Sequence, residues 1–137
     1  MPLKALYRWS MPKTNCTRDI KLRRQIIKDF YASWCAGHPD KKVWNQSLKA
    51  YIHVKFQSIN ETAGQASISY ESTCAVLRLT EILENAVFAK TKPAKPNDRN
   101  QRAFDQMVFL YHDGIRLLAG HQKSTGEYVQ YCITAKK

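Results

Sequence analysis

Three of the four histidines in the chain, His53, His112 and His121, lie in segments that also carry basic or hydroxyl side chains. Histidine can accept and donate protons near neutral pH, and Arg and Lys bind phosphate. Such groups can cleave RNA without a metal, because the ribose 2′-hydroxyl of the substrate is itself the nucleophile. One group removes the 2′ proton, another protonates the departing 5′ oxygen, and a cation stabilises the phosphorane.

We therefore predict a catalytic group of four side chains on one concave, positively charged surface. Its members are His53 and His121 for proton transfer, Arg116 for the phosphate and Thr134 for hydrogen bonding. Other candidates are His112 for proton transfer, Lys55 and Lys123 for phosphate, and Tyr128 and Gln130 for hydrogen bonds or base stacking. A structural role is the alternative for each histidine alone, so the prediction depends on the four side chains meeting in space.

Metal-dependent chemistry is disfavoured because the sequence lacks the motifs that usually support it. The sequence has no glycine-rich phosphate loop, no H-E-x-x-H and no G-x-S-x-G. The four cysteines are scattered without a C-x-x-C pair, and Cys35 with His38 is too small a set for zinc. We expect reduced, mostly buried thiols, and neither a metal nor a cofactor.

The balance of charge points to a polyanionic partner. The 137 residues include 22 Lys and Arg against 11 Asp and Glu, a net charge of +11, and residues 1–58 alone hold 12 basic against 3 acidic residues. RNA is favoured over a membrane, because no segment is long and apolar enough to span a bilayer, and a cytoplasmic location is expected. The predicted nucleic-acid-binding residues are Arg18, Lys21, Lys28, Lys55, Lys90, Lys92, Lys95, Arg99, Arg102 and Lys123.

These side chains must be positioned by a sheet at the C-terminal end of the chain. Residues 104–112, 115–122 and 127–134 are rich in residues that favour strands. Asp113 and Gly114 suit the two positive-φ positions of a type I′ hairpin turn, and Gly126 suits the second turn. The pattern predicts a three-strand meander. A sheet of this size must bury one face, so the rest of the chain has to cover it.

The remaining segments supply this cover. Helical spacing predicts helices over 17–36 and 73–86, and the alternation in 50–58 predicts a fourth strand. We expect an α+β fold with two main helices packed on a four-stranded, mainly antiparallel sheet that ends in the meander. We interpret the chain as a single domain, with an irregular basic arm (1–16), a basic helix and linker (17–49) and a core (50–134).

The order of these elements resembles the barnase, EndoU, colicin and RelE-like fold, a group of small metal-independent ribonucleases, and in particular its phage-associated members. The residues that carry the resemblance are in 58–62, 72–77, 79–86, 114–120 and 130–134. The resemblance implies an RNA substrate and a core over 50–134, with use as a toxin or in host takeover. Gln65 stands where it predicts a histidine, and Arg116-Leu117 where it predicts a lysine.

The hypothesis is thus a metal-independent endoribonuclease of phage or mobile-element origin. Two alternatives stay open: a nucleic-acid-binding module without catalysis, and a phage protein that binds and inhibits a host defence complex. A cognate antitoxin or a host protein complex is then a further candidate partner.

Overall fold

A computed structural model describes residues 11–135 of the chain. The predicted arm 1–16 lies mostly outside this range. The described chain folds as α1 (Thr17–Gly37), β1 (Lys42–Asn45), β2 (Ala50–His53), α2 (Phe56–Ala66), α3 (Tyr70–Val76), α4 (Leu79–Asn85), β3 (Val87–Pro93), β4 (Phe104–His112), β5 (Ile115–Gln122) and β6 (Tyr128–Ala135). The fold is α+β.

The six strands form one mixed sheet in the order β1-β2-β6-β5-β4-β3. Strands β2 and β6 run parallel, and the other neighbouring pairs are antiparallel. The sheet is curled, so its two edge strands approach each other: the hydroxyl of Ser47, after β1, accepts a hydrogen bond of 2.9 Å from the amide of Phe88 in β3. Asn45 strengthens this closure by donating to the carbonyl oxygens of Leu83 and Ala86.

The two faces of the sheet differ in what covers them. The main core lies on one face, where Ile52, Leu110, Leu117 and Ile133 pack with apolar residues of the helices. We call the other side the helix-free face, because its smaller core cluster contains no helical residue. That cluster comprises Phe104, Met107, Leu118, Val129, Tyr131 and Cys132, with Phe109 and Ala94 packed against it.

The predicted fold class was wrong in the number of helices and strands and in the pairing of the sheet. Strand 50–58 ends at His53, and Phe56–Ala66 is helical. The side chain of Ser58 caps this helix by accepting from the amide of Lys55. The inward stripe of α2 is Ser58, Thr62, Ala63 and Ala66. Because these residues are small and partly polar, the apolar periodicity that marks a helix is weak here.

The second predicted helix, 73–86, is two helices, α3 and α4, with a break at Leu77 and Arg78. Strand β1 was missed inside the predicted linker, since four residues are too few to show alternation. The first helix and the meander are confirmed. Asp113 and Gly114 adopt φ of 54° and 77°, the left-handed region that a type I′ turn requires.

Candidate nucleic-acid interface on the helix-free face

Register places two lysines of β3 on the helix-free face. Lys90 pairs with Phe109 and Lys92 pairs with Met107 in β4, while Phe109 pairs with Leu118 in β5. Side chains that pair across neighbouring strands lie on the same face of a sheet. The two lysines therefore flank the apolar side chains of Met107, Phe109 and Leu118. Val108 and Leu110, which alternate with Met107 and Phe109 along β4, point into the helix-side core.

Three cations surround the ring of Phe109. The Nζ atoms of Lys90 and Lys92 lie 5.3 Å and 5.5 Å from the ring centroid, and Cζ of Arg116 lies 5.8 Å from it. These distances are within the range of cation–π attraction. None of the ion pairs formed within residues 11–135 includes any of the three. Like charges are thus held together around one ring with no carboxylate to neutralise them.

A cavity of about 250 Å³ opens beside these cations. It lies between the sheet and the segment that follows β3, and it is lined by Lys92, Pro93, Lys95, Gln101, Met107, Phe109, Arg116 and Leu118. The side-chain oxygen of Gln101 accepts a hydrogen bond of 3.0 Å from the amide of Lys95, which fixes the loop over the cavity. The lining combines charge, one aromatic ring and an amide, a composition suited to a phosphate with its attached base.

Polar groups continue from the cavity along β6. Arg116 pairs with Thr134 in the register of β5 and β6. Burial raises the pKa of the neighbouring Cys132 thiol to about 11, a change that the charge of Arg116 opposes and that of Glu61 reinforces. Glu61 of α2 is thus close to the same thiol. Its own carboxyl pKa is raised by burial, although a hydrogen bond with Tyr131 opposes the change.

His53 is part of a separate cluster at the start of β6. Its Nε2 lies 3.3 Å from Oε2 of Glu127, and the other carboxylate oxygen of Glu127 is 2.7 Å from Nζ of Lys55. Lys55 also donates to the side chain of Gln122 at 2.7 Å. Burial lowers the pKa of His53 even though Glu127 acts in the opposite direction. Lys55, predicted to bind phosphate, is instead paired with a carboxylate.

His121 lies on the helix side of the sheet. Its Nδ1 is 2.8 Å from Oδ1 of Asp105, and its ring meets Tyr128 edge-on with 5.2 Å between centroids. Together with Val108, these side chains help to line a second cavity of about 280 Å³. The hydrogen bond to His121 holds the pKa of Asp105 below its usual range.

The family of the chain is shown by a match that covers residues 21–112, from within α1 to the end of β4. The matching family is described as large polyvalent protein-associated domain 3. The chain belongs to this family. The match makes it a phage-associated domain, which agrees with the phage association that the resemblance implied. No curated protein and no solved structure matches the chain.

Two of the four predicted catalytic residues of this polyvalent protein-associated domain lie together. Arg116 and Thr134 are paired on the helix-free face, at the end of β5 nearest the Asp113-Gly114 turn. His53 pairs with Val129, which in turn pairs with Gly120, four residues along β5 from Arg116, or about 13 Å at the rise of a strand. His121 lies on the opposite face. The structure therefore places the two histidines apart from the arginine.

The other candidates of the domain have structural partners. Nε2 of His112 is 2.8 Å from Oε2 of Glu81, a carboxylate that also contacts Arg78. Gln130 is fully buried and accepts a hydrogen bond from the Tyr31 hydroxyl, so it does not reach a ligand on the surface. None of the four cysteines, all within residues 11–135, forms a disulfide, but only Cys132 is buried, so the expectation of mostly buried thiols was wrong.

The cations of the domain are divided between two sides of the sheet. Lys92 and Lys95 line the cavity, Lys90 lies beside Phe109, and Arg99 and Arg102 are exposed in the loop that follows. The exposed residues Arg18, Lys21 and Lys28 belong to α1, which packs on the helix side through Ile27 and Tyr31. Lys123 is exposed in the turn before β6. The basic helix and the basic loop thus do not form one continuous surface.

Phe109 and Glu61 were missed as site residues. Phe109 sits in an apolar strand, and its pairing with Lys90 depends on a register shift between Phe88 and Lys90 in β3. Glu61 lies in α2, a helix that was not predicted, so its position beside β6 was missed. Among residues 11–135 no three His, Cys, Asp or Glu side chains are grouped as metal ligands. No helix in this range is long and apolar enough to cross a bilayer.

Proposed function

We propose that this phage-associated domain binds single-stranded RNA on its helix-free face. Lys90, Lys92 and Arg116 hold the phosphates, and a base stacks on Phe109. The observation that carries the proposal is that three cations lie within 5.8 Å of one ring centroid. Within residues 11–135 none of the three forms an ion pair with a carboxylate. Phosphate oxygens placed among these cations would relieve their mutual repulsion.

Single strands suit this surface better than a duplex. Phe109 can stack on a base only where the base is not already paired within a helix, and stacking on aromatic rings is largely independent of sequence. The amide of Gln101 and the hydroxyl of Thr134 provide hydrogen-bonding groups close to the cations. Such groups can contact the ribose 2′-hydroxyl, which distinguishes RNA from DNA.

Binding of an end-labelled single-stranded RNA at several salt concentrations tests this proposal. The logarithm of the binding constant should fall linearly with that of salt, with a slope reduced by about 0.7 for each phosphate contact removed. Arg116→Ala and Lys92→Ala should each weaken binding and flatten the slope. Lys28→Ala is the matched control, because Lys28 is an exposed lysine on α1, on the other side of the sheet. An unchanged slope in the first two variants would contradict the proposal.

Metal-independent cleavage of the bound RNA is a second candidate function. It is favoured by Glu61 of α2, which hydrogen-bonds with Tyr131 and acts electrostatically on the same Cys132 thiol as Arg116. A carboxylate there could accept the 2′ proton as the 2′ oxygen bonds to phosphorus. Arg116 would stabilise the phosphorane, and the bond from phosphorus to the 5′ oxygen would break as that oxygen is protonated. The phenol of Tyr131, whose pKa burial raises to about 12, remains protonated at neutral pH and is a candidate donor.

Incubation of the full chain with RNA in EDTA tests the cleavage proposal. Products with 2′,3′-cyclic phosphate ends are expected, and they should be lost in Glu61→Gln and Arg116→Ala. The variants His53→Ala and His121→Ala test the predicted catalytic group, and Thr134→Val tests its hydroxyl. Loss of cleavage in the histidine variants alone would assign catalysis to the start of β6 instead. RNA that stays intact while it is bound would leave a binding module.

A further inference from the structure

The β1–β2 hairpin carries two exposed aromatic rings on adjacent strands. Trp44 and Tyr51 pair directly in register, and their centroids lie 5.2 Å apart at an interplanar angle of 78°. Trp44 is 46% exposed and Tyr51 is 44% exposed. Large aromatic rings usually bury most of their surface in the folded protein. A pair of half-exposed rings side by side is therefore more typical of a binding surface than of ordinary solvent-exposed surface.

Strand alternation explains why the rings face outward. Val43 and Ile52 form the next pair along the hairpin and lie against the helix-side core, where Ile52 is fully buried. The side chains of the pairs on either side of Val43 and Ile52 must then point to the opposite face of the sheet. We call these four side chains the hairpin platform, namely Lys42, Trp44, Tyr51 and His53.

The hairpin platform is positively charged. Nζ of Lys42 lies 4.4 Å from the centroid of the Tyr51 ring, the closest cation–π contact among the described residues. Residues 41–60 contain four lysines and no acidic residue. Within residues 11–135, the one carboxylate that forms ion pairs with this part of the chain is Glu127, which contacts His53 and Lys55. Cations interleaved with exposed rings are complementary to a ligand that has both negative charge and flat π faces.

The hairpin platform lies on the same face of the sheet as the cations around Phe109. The strand order puts four steps between β1 and β4, about 19 Å at the usual spacing of strands. A single nucleic-acid strand of several nucleotides is long enough to reach from one group to the other. The two groups thus mark the ends of a path across the helix-free side of the molecule.

We propose that Trp44 and Tyr51 form a second base-stacking site, which holds bases of a single-stranded RNA beyond those bound at Phe109. The choice of RNA as ligand rests on the proposed function, but the site itself rests on the exposed rings and the charge of the hairpin. Stacking on each ring contributes through its π face, so the site is tolerant of sequence and needs unpaired bases.

Binding of a labelled oligouridylate to the full chain tests the site. Trp44→Ala and Tyr51→Ala should each weaken binding roughly 5- to 150-fold, as expected for the loss of one stacked base. The salt slope should stay unchanged, because no phosphate contact is lost. Trp44→Phe should retain most of the affinity. Leu22→Ala is the matched control, since Leu22 is 48% exposed on α1, which packs on the helix side of the sheet.

Photocrosslinking gives a readout that needs no variant to fold. An oligonucleotide that carries 5-bromouridine should crosslink to the tryptic peptides 43–49 and 50–55, each of which contains one ring of the hairpin platform. Crosslinks confined to other peptides would overturn the site. So would normal affinity in both alanine variants, even though salt-dependent binding by the native chain would still support the interface at Phe109.

Two other outcomes also count against the hairpin platform. If the native chain sediments as a dimer that Trp44→Ala dissociates, the rings are a surface for self-association. If the native chain binds no RNA at any salt concentration, the proposed function fails, and the second site fails with it. Weaker binding in both alanine variants together with crosslinks to both peptides would support the site.

Discussion

The hydroxyl of Tyr31 donates a hydrogen bond to Oε1 of Gln130, with 2.8 Å between the two oxygens, and so joins residues that are 99 positions apart. Gln130 in turn donates from Nε2 to Oγ1 of Thr62 at 2.6 Å. All three side chains are fully buried. The network ties α1, α2 and β6 together at the centre of the helix side, and burial raises the pKa of the Tyr31 phenol above its usual range.

Tyr31→Phe should destabilise the fold by about 1–3 kcal/mol. It removes one hydrogen bond and leaves the buried oxygen of Gln130 without its donor. Urea denaturation followed by circular dichroism measures the change. Tyr51→Phe is the matched control, because Tyr51 is exposed, and its free energy of unfolding should change by less than about 0.5 kcal/mol. Equal effects of the two substitutions would show that the buried network contributes nothing.

Arg23→Met should destabilise the fold by about 3 kcal/mol or more. Arg23 is fully buried and donates to the carbonyl oxygens of Ser67 at 2.8 Å and Thr14 at 2.6 Å. Methionine fills similar space but removes these hydrogen bonds and leaves the buried carbonyl of Ser67 unpaired, which alone costs about 1–3 kcal/mol. Arg24→Met, at the exposed neighbouring position, serves as control in the same denaturation experiment. A small effect at Arg23 would mean that water replaces its hydrogen bonds.

Gly120→Ala and Gly64→Ala should change stability in opposite directions. A Cβ atom at Gly120 would lie 2.6 Å from the ring of Phe104, so the ring must move, at a cost of about 1–3 kcal/mol. A Cβ atom at Gly64, inside α2, meets nothing within 4 Å, and alanine should stabilise the helix by about 0.5–1 kcal/mol. Thermal melting of both variants tests the pair. Stabilisation at Gly120 would indicate a ring that moves freely.

The contribution of Glu81 to stability should disappear in acid. Hydrogen bonds from Arg78 and His112 lower the pKa of its carboxyl from 4.5 to about 2. A lowered pKa in the folded state stabilises the fold above pH 4.5, and this stabilisation is lost as the pH falls towards 2. Because the side chain is 42% exposed, solvent screening limits the effect to about 1 kcal/mol.

Thermal melting of the native chain and Glu81→Gln between pH 7 and pH 2 tests this dependence. The native chain should be the more stable of the two at pH 7, and the difference should vanish near pH 2. Glu84→Gln is the control, because Glu84 is exposed on the same helix and belongs to none of the ion pairs within residues 11–135. A difference that persists at pH 2 would point to packing of Glu81 and not to its charge.

Local sequence patterns were enough to predict the long elements. The apolar stripe of α1 and the turn at Asp113-Gly114 depend on residues close together in the chain, and both are found where predicted. Segments with weak local signals were predicted wrongly. In α2 the inward positions are Ser58, Thr62, Ala63 and Ala66, which become core residues only because β6 and α1 pack over them.

The candidate site could be predicted only in part, because it depends on which face of the sheet each side chain occupies. Arg116 and Thr134 share a face and a register, whereas His121 faces the helices and His53 lies farther along the sheet. Two irregularities, between Phe88 and Lys90 and between Leu118 and Ala119, shift the alternation. A shift of one residue moves a side chain to the other face, and no local pattern reveals it.

The sequence by itself determined the net charge of +11, the basic helix, the meander and its tight turn, because each follows from composition or from neighbours along the chain. Only the tertiary structure decided which cations meet. It collects Lys90, Lys92 and Arg116 around Phe109, and it separates them from the basic face of α1. The physical reason is that charge is a sum over residues, whereas a binding site is a set of distances fixed by strand order, register and burial.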